Sequence, residues 1–335
     1  MANVLWRCLC ATDEPSGRSA FRSRLIQIGL RTAWAWIVAL GFGPVADAQS
    51  AATENPSPGP RIEQLIDQGI LDEASAALDQ RVASEGETAR NLLFRGLIAY
   101  RRQAYQVALE DLKRSFALDE TDPSTSKALG LCLVKLGRED LAETFFEIAA
   151  SLVPEDFTAH YYLGLNAYTT RRFDRATASF RKAVELRPNS VEGNSFLGRS
   201  YEALGKPNQA RRHYLRASEL NRGLAAPSAN PPLLLGSMLY RESRLDRAEH
   251  LLREALRYDG DAALAHYWLG LVLERRSDLG PAIGALRRAA ALAPHDHRPH
   301  YALARIYQRT GDAARAEESV RKFRELRIPS ESETY

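Results

Sequence analysis

A spacing of 34 residues recurs along this 335-residue chain, and it limits the possible folds more than any other feature. One column of this period holds a small residue, and after a shift of four residues the column continues: Gly96, Gly130, Gly164, Gly198, Gly236, Gly270 and Ala304. Periods of about 20 to 50 residues are typical of solenoids, in which each repeat packs only on its neighbours. The chain is therefore predicted to fold as a linear array.

A further column keeps the same register and contains alanine. It consists of Ala74, Ala108, Ala142, Ala176, Ala210, Ala248, Ala282 and Ala316. Each of these alanines is followed four residues later by a bulky residue: Leu78, Leu112, Phe146, Phe180, Tyr214, Leu252, Leu286 and Val320. Because small residues let two antiparallel helices cross closely, the pattern predicts helix-turn-helix repeats whose bulky residues pack against the next repeat.

The order of these residues resembles that of the tetratricopeptide-repeat family. It is clearest in Leu163-Gly164, Ala176, Phe180, Ala183 and Pro188, and again in Leu197-Gly198, Tyr201, Ala210, Tyr214 and Ala217. The column in which the family favours tryptophan departs from it, with Ser126, His160, Asn194, Pro232, His266 and His300. The resemblance implies an all-α fold, a right-handed superhelical α-solenoid of about eight repeats with an extended concave surface.

The domain boundaries follow from where this register starts, shifts and stops. We expect a signal peptide with an N-terminal extension over 1–48, a Pro/Ala/Ser linker over 49–60, repeats 1–5 over 61–222 with a degenerate first repeat, an insertion over 223–232, repeats 6–8 over 233–328 and a polar tail over 329–335. The insertion either lengthens one turn between repeats, which the clean return of the register favours, or acts as a hinge.

The N-terminal segment has the order of charges and apolar residues that a signal peptide needs. Basic residues precede the apolar run 32–42, Pro44 follows it, and Ala46-Asp47-Ala48 supplies the small residues of a cleavage site before Gln49. A membrane-spanning helix needs about 20 apolar residues, so this run is too short to span comfortably. We expect a periplasmic or secreted protein, and an uncleaved inner-membrane anchor is the alternative.

Charge, cysteine count and motifs exclude several classes of function. Lys and Arg total 45 against 42 Asp and Glu, so no excess of positive charge favours nucleic acid. Gly198 to Lys206 has the wrong spacing for a phosphate loop. After cleavage Cys132 is the one remaining cysteine, which predicts a small buried residue. No catalytic arrangement is recognisable, so we expect no enzyme, no cofactor and no small-molecule substrate.

The one dense group of possible metal ligands lies at a turn between repeats and consists of His295, His297 and His300, with Asp296 between them. Imidazoles at short spacing can bind zinc or copper. Polar turns after the same proline column occur elsewhere in the chain, and no second cluster completes a site. We therefore predict no metal and keep the three histidines as weak candidates.

The inner face of the first helices is the predicted binding surface. Its candidates are Arg90, Leu93, Tyr100, Arg101, Lys127, Tyr161, Leu165, Tyr168, Tyr240, Tyr267, Tyr301 and Arg305. Tyrosine supplies a broad contact area at low entropy cost, which suits an extended peptide or a partner helix. The alternative is that these rings fill gaps between repeats.

A basic column ends the first helices at Arg101, Lys135, Arg241, Arg275 and Arg309. The attraction of cations to helix C-termini explains this column, and the alternative is a stripe for an acidic partner. The sequence thus predicts a non-catalytic scaffold or adaptor of the bacterial envelope that binds a protein or peptide segment or a partner helix in assembly, export or secretion. The alternative is a regulator that tethers an enzyme or assembly factor to the membrane through an uncleaved N-terminal helix.

Overall fold

The computed structural model describes residues 58–327, and every regular element in that range is an α-helix. The helices are α1 Pro58–Asp67, α2 Leu71–Glu85, α3 Ala89–Arg101, α4 Tyr105–Leu118, α5 Pro123–Lys135, α6 Glu139–Leu152, α7 Phe157–Thr169, α8 Phe173–Leu186, α9 Val191–Ala203, α10 Pro207–Arg222, α11 Asn230–Arg241, α12 Leu245–Tyr258, α13 Ala263–Arg275, α14 Leu279–Leu292, α15 Arg298–Thr310 and α16 Ala313–Arg327.

These helices pair into eight helix-turn-helix repeats, numbered 1 to 8 from α1–α2 to α15–α16. The predicted all-α solenoid of helix-turn-helix repeats is confirmed. The chain divides after Glu120 into two compact units, and in its described part the first unit contains α1–α4 and the second contains α5–α16. Within the second unit each helix packs against the next one in the chain, as stacked repeats require.

The glycine column lies where the two helices of a repeat approach most closely. A Cβ atom on Gly164 would lie 2.7 Å from the ring of Phe180, and one on Gly270 would lie 2.6 Å from Leu286 Cγ. The bulky column therefore sits on the glycine of its own repeat. It also reaches the next repeat, because the rings of Phe180 and Phe196 stack with centroids 5.5 Å apart.

The alanine column is buried in every described repeat. Ala142, Ala176 and Ala248, for example, are completely inaccessible to solvent. A larger side chain at these positions would push the two helices of the repeat apart. The burial of the whole column shows that the register deduced from the sequence is the register of the fold.

A left-handed residue connects the two helices of each repeat, and this column recurs with the same 34-residue period. It has positive φ throughout and consists of Gly69, Gln103, Gly137, Arg171, Gly205, Ser243, Ser277 and Gly311. Glycine adopts this conformation freely, whereas other L-residues are strained in it. The sharp reversal at this residue lets the second helix fold back on the first.

The insertion lengthens a turn between repeats 5 and 6 rather than separating two cores. The buried Asn221 closes it with two hydrogen bonds to the backbone of Ser228: its Nδ2 donates to the carbonyl oxygen, and its Oδ1 accepts from the N–H, each at 2.8 Å. One hydrophobic cluster continues from Tyr214 in repeat 5 to Leu235 and Leu252 in repeat 6. These contacts favour the turn interpretation over the hinge.

Two boundaries differ from the sequence prediction because proline is tolerated in the first turn of a helix. Helix α1 begins at Pro58, inside the predicted 49–60 linker. Helix α11 begins at Asn230 and includes Pro231 and Pro232, which were assigned to the 223–232 insertion. The irregular part of the insertion is therefore shorter than predicted.

Within residues 58–327, no helix is both long enough and apolar enough to cross a membrane. The predicted signal peptide over 1–48, its cleavage site before Gln49 and most of the linker lie outside the described residues, as does the whole of the polar tail over 329–335.

Candidate functional site

Three of the predicted binding residues are buried in the core. Leu93, Tyr100 and Leu165 expose 4%, 9% and 3% of their surfaces. They lie on the first helices as predicted, but the packing of neighbouring helices covers their side chains. These three residues therefore contribute to stability and offer almost no surface to a partner.

Three other predicted residues are basic, and each is neutralised by a carboxylate from a neighbouring helix or from the turn that precedes one. The pairs are Arg90 with Glu63 at 2.7 Å, Arg101 with Asp67 at 3.7 Å and Lys127 with Asp156 at 2.6 Å. A paired cation attracts an acidic ligand less strongly than a free one. These residues are thus weaker candidates for binding than the sequence suggested.

Tyr161 and Tyr168 belong to an aromatic cluster that joins repeats 4 and 5. The Tyr161 ring packs against Phe157, Phe180 and Phe196 with centroids 5.6, 5.8 and 5.9 Å away. Burial raises the pKa of its hydroxyl. Tyr168 lies 6.2 Å from Phe196. Aromatic pairs at these distances stabilise a core, so packing is the main role of both tyrosines.

Each of the predicted tyrosines of repeats 6, 7 and 8 is covered on one side by an arginine. Tyr301 is the most accessible of them, with 55% of its surface exposed. The stacked pairs are Arg275 on Tyr240 at 4.5 Å, Arg298 on Tyr267 at 5.2 Å and Arg305 on Tyr301 at 5.8 Å, measured from Cζ to the ring centroid. Such stacks hold guanidinium groups in fixed positions beside apolar rings.

Carboxylates fix some of these arginines further. Arg305 forms two hydrogen bonds to Glu274 of the preceding repeat, at 2.7 and 2.5 Å, and these bonds raise the pKa of its guanidinium. Arg298 pairs with Asp296 at 2.7 Å. We use the term first-helix face for the surface of α11, α13 and α15 that carries Tyr240, Arg241, Tyr267, Trp268, Arg275, Arg298, Tyr301, Arg305 and Arg309.

The basic column lies in the last turn of the first helices, where the helix dipole favours cations. Arg275 donates to the Tyr240 carbonyl oxygen at 3.0 Å and has no carboxylate partner among the described residues. Arg309 is exposed and forms no ion pair within residues 58–327. The first-helix face therefore ends in repeats 7 and 8 with two guanidinium groups that no carboxylate of residues 58–327 neutralises.

The candidate histidines occupy different surroundings. His295 is exposed, the His297 ring lies 5.6 Å from the Phe323 ring, and His300 lines a cavity beside α16. Among residues 58–327, no group of three or more His, Cys, Asp or Glu side chains has the geometry to bind a metal ion.

The thiol of Cys132 is fully buried in α5, and burial raises its pKa to about 12. The thiol is therefore protonated at neutral pH, and a protonated thiol is a poor nucleophile. Cys132 packs as a small apolar side chain, as the sequence predicted.

Two residues of the first-helix face were not predicted from the sequence. Trp268 packs against Tyr240 and Tyr267, with centroids 5.5 and 5.4 Å away, and Arg298 stacks on Tyr267. Their signal was available, because Trp268 directly follows a tyrosine in the candidate column and Arg298 lies three residues before Tyr301. The ring that an arginine covers can belong to the neighbouring repeat, so a single column of the sequence does not identify the pair.

Comparison with known proteins agrees with this architecture. A family model described as tetratricopeptide repeat matches residues 127–191 and 233–297, which correspond to repeats of the second unit. Together with the register and the paired helices, this match identifies tetratricopeptide repeats in these two segments. Repeat proteins of this kind typically mediate protein–protein contacts and are not themselves catalysts.

Relatives and solved structures share the fold at low identity. Anaphase-promoting complex subunit 3 of Schizosaccharomyces pombe is 24% identical over 217 residues, which are 62% of this chain and 32% of that protein. The crystal structure of the APC/C hetero-tetramer Cut9-Hcn1 is similar over 76% of this chain and 49% of its own, with 18% identity and a TM-score of 0.64. This chain thus spans about a third to a half of their lengths.

A third similar structure is PilF of Pseudomonas aeruginosa. It matches 64% of this chain and 95% of its own length, with 18% identity and a TM-score of 0.56. At this identity the likeness concerns the fold.

Proposed function

We propose that this chain is a non-catalytic scaffold that binds a polypeptide on the first-helix face. The observation that carries the proposal is the exposed Tyr301, which shares helix α15 with Arg305, stacked on its ring, and with Arg309, which forms no ion pair within residues 58–327. Tyrosine and arginine are the residues that most often dominate binding energy at protein interfaces. The relative named as an anaphase-promoting complex subunit supports a scaffold role, because a subunit acts by contacting other proteins.

A peptide-display selection tests this proposal. Peptides enriched on the purified protein should bind the double variant Tyr301→Ala, Arg309→Ala about 30-fold more weakly, because hot-spot residues contribute about 2 kcal/mol or more. The matched control is Arg257→Ala, Tyr258→Ala, which removes the same two residue types from the second helix α12 and should leave affinity unchanged. Equal affinities for the first variant and the unaltered protein would contradict the proposal.

We further propose that the scaffold is exported and acts in the bacterial envelope, in assembly, export or secretion. The leader, with basic residues, the apolar run 32–42 and Ala46-Asp47-Ala48, supports this proposal. Mass spectrometry of the envelope fraction should find a mature N-terminus at Gln49. Recovery of the intact N-terminus in membranes would instead favour the membrane-anchored regulator.

A further inference from the structure

A cavity of about 400 Å³ opens on the second-helix side of the array, between α10, α11 and α12. Its apolar lining includes Leu215, Leu235, Leu239 and Leu251. Cavities of a few hundred Å³ with apolar walls and a few polar groups are typical of small-ligand sites. It lies between repeats 5 and 6, where the insertion interrupts the period, and it is separate from the first-helix face.

Leu215 breaks the pattern of its column at this cavity. The corresponding positions of the other repeats are all charged: Asp79, Lys113, Glu147, Arg181, Arg253, Arg287 and Arg321. Leu215 is 45% exposed, so the exchange of charge for an apolar side chain is not explained by burial in the core. An exposed leucine at the wall of a cavity favours an apolar ligand.

Ser218 is polar at a position that is apolar in most other repeats. The corresponding positions are apolar in repeats 1 to 4, 6 and 7, namely Val82, Phe116, Ala150, Val184, Leu256 and Ala290. The Ser218 Oγ is buried and has no hydrogen-bond partner among the described residues. A buried hydroxyl without a partner destabilises the fold, and a hydrogen bond to a ligand oxygen in the cavity would remove that penalty.

The cations at the cavity are not all neutralised. Arg211 and Arg222 are held by the carboxylates Glu242 and Glu254 at 2.9 and 2.7 Å. Arg247 lines the same cavity and has no carboxylate partner within residues 58–327.

The acidic residues at the cavity leave Arg247 free. Asp246 is paired with Arg276, and Glu219 lies 3.9 Å from Arg216. Arg244 approaches Glu242 at 4.0 Å, although Arg211 already binds both oxygens of that carboxylate. His250 also lines the cavity. The site therefore offers uncompensated positive charge beside an apolar wall.

We propose that this cavity binds an amphipathic carboxylate, a medium-chain acyl anion. The acyl chain packs against the four leucines, the carboxylate accepts hydrogen bonds from Arg247, and the Ser218 hydroxyl donates to a ligand oxygen. A neutral amphiphile would leave Arg247 unpaired, and a small inorganic anion would leave the leucines exposed.

Titration calorimetry with decanoate and with 1-decanol tests the ligand class, and both probes are used below their aggregation limits. Decanoate should bind the purified protein at one saturable site. Arg247→Gln should weaken decanoate about tenfold or more, because a charge-assisted hydrogen bond is lost, and should leave decanol unchanged. Glutamine occupies the corresponding position of repeat 5 at Gln209, so this variant is expected to fold.

Leu215→Arg tests the apolar wall. Arginine occupies the corresponding position in four other repeats, so this variant should retain the thermal stability of the unaltered protein. It should no longer bind decanoate or decanol. Thermal unfolding followed by circular dichroism checks that stability. The proposal is overturned if decanoate shows no saturable binding, if Arg247→Gln weakens both probes equally, or if Leu215→Arg leaves binding intact.

Discussion

At the scale of single residues, two kinds of position control the geometry of a repeat. One is the glycine that faces a bulky side chain of the second helix, as Gly164 faces Phe180. The other is the left-handed residue of the turn, which is glycine in some repeats and Gln103, Arg171, Ser243 or Ser277 in others. The first kind requires the absence of a side chain because space is missing, whereas the second only favours glycine, because other residues are strained in the left-handed conformation.

The first prediction compares two glycines within helices. Gly164→Ala should lower the free energy of unfolding by about 1 to 3 kcal/mol, because the new Cβ would overlap Phe180, whose ring is held by Phe196. Gly284→Ala in α14 should raise it by about 1 kcal/mol, because no atom lies within 4 Å of the new Cβ and alanine favours the helix. Chemical denaturation measures the free energy of unfolding of both variants. If both substitutions changed it in the same direction, Gly164 would not lie at a close crossing of two helices.

The second prediction concerns the strained turn of repeat 4. Arg171 has a φ of 61°, is exposed and forms no ion pair among the described residues. Arg171→Gly should raise the free energy of unfolding by about 0.5 to 1 kcal/mol. The relief of backbone strain stabilises the folded state by more than the greater conformational entropy of glycine stabilises the unfolded state. Gly137→Ala, at a φ of 72°, should lower it by about 1 kcal/mol. A destabilised Arg171→Gly variant would refute this account of the turn.

At the scale of helices, the 34-residue period contains most of the information needed to predict the fold. Gly130 and Ala142 lie where two helices cross closely, which requires small side chains. Side-chain size is visible in the sequence, so their columns could be identified without coordinates. Helix ends were harder to place, because Pro231 and Pro232 are compatible with either a loop or a first helical turn. The left-handed column was missed for a similar reason, since Arg171 and Ser243 do not signal positive φ by residue type.

The third prediction concerns the insertion between repeats 5 and 6. Asn221→Ala should lower the free energy of unfolding by about 1 to 3 kcal/mol, because two buried hydrogen bonds to Ser228 are lost. The control is Asn208→Ala, which removes one hydrogen bond with Arg211 at the surface and should have little effect. Thermal unfolding checks both. If the insertion were a hinge, Asn221→Ala would leave the unfolding transition unchanged.

At the scale of the whole chain, the binding surface was predicted less completely than the fold. The candidate tyrosines share positions on the first helices, yet Tyr161 is packed among three phenylalanine rings while Tyr301 is exposed. Among the described residues, Tyr161 is packed against Phe196 of the next repeat, whereas Tyr301 is packed against Phe323 of its own repeat, with ring centroids 5.3 Å apart. Accessibility is therefore a property of stacked pairs of repeats, and a single column of residues does not determine it.

The central claim is that the first-helix face, and not the second helices, contacts a partner polypeptide. Site-specific photocrosslinking in native cells tests it most directly, with p-benzoylphenylalanine in place of Tyr301 on α15 or in place of Tyr258 on α12. Both substitutions replace a tyrosine and keep an aromatic ring at that position. We predict that illumination yields a polypeptide adduct from the Tyr301 position and none from the Tyr258 position. An adduct from the Tyr258 position alone would contradict the claim.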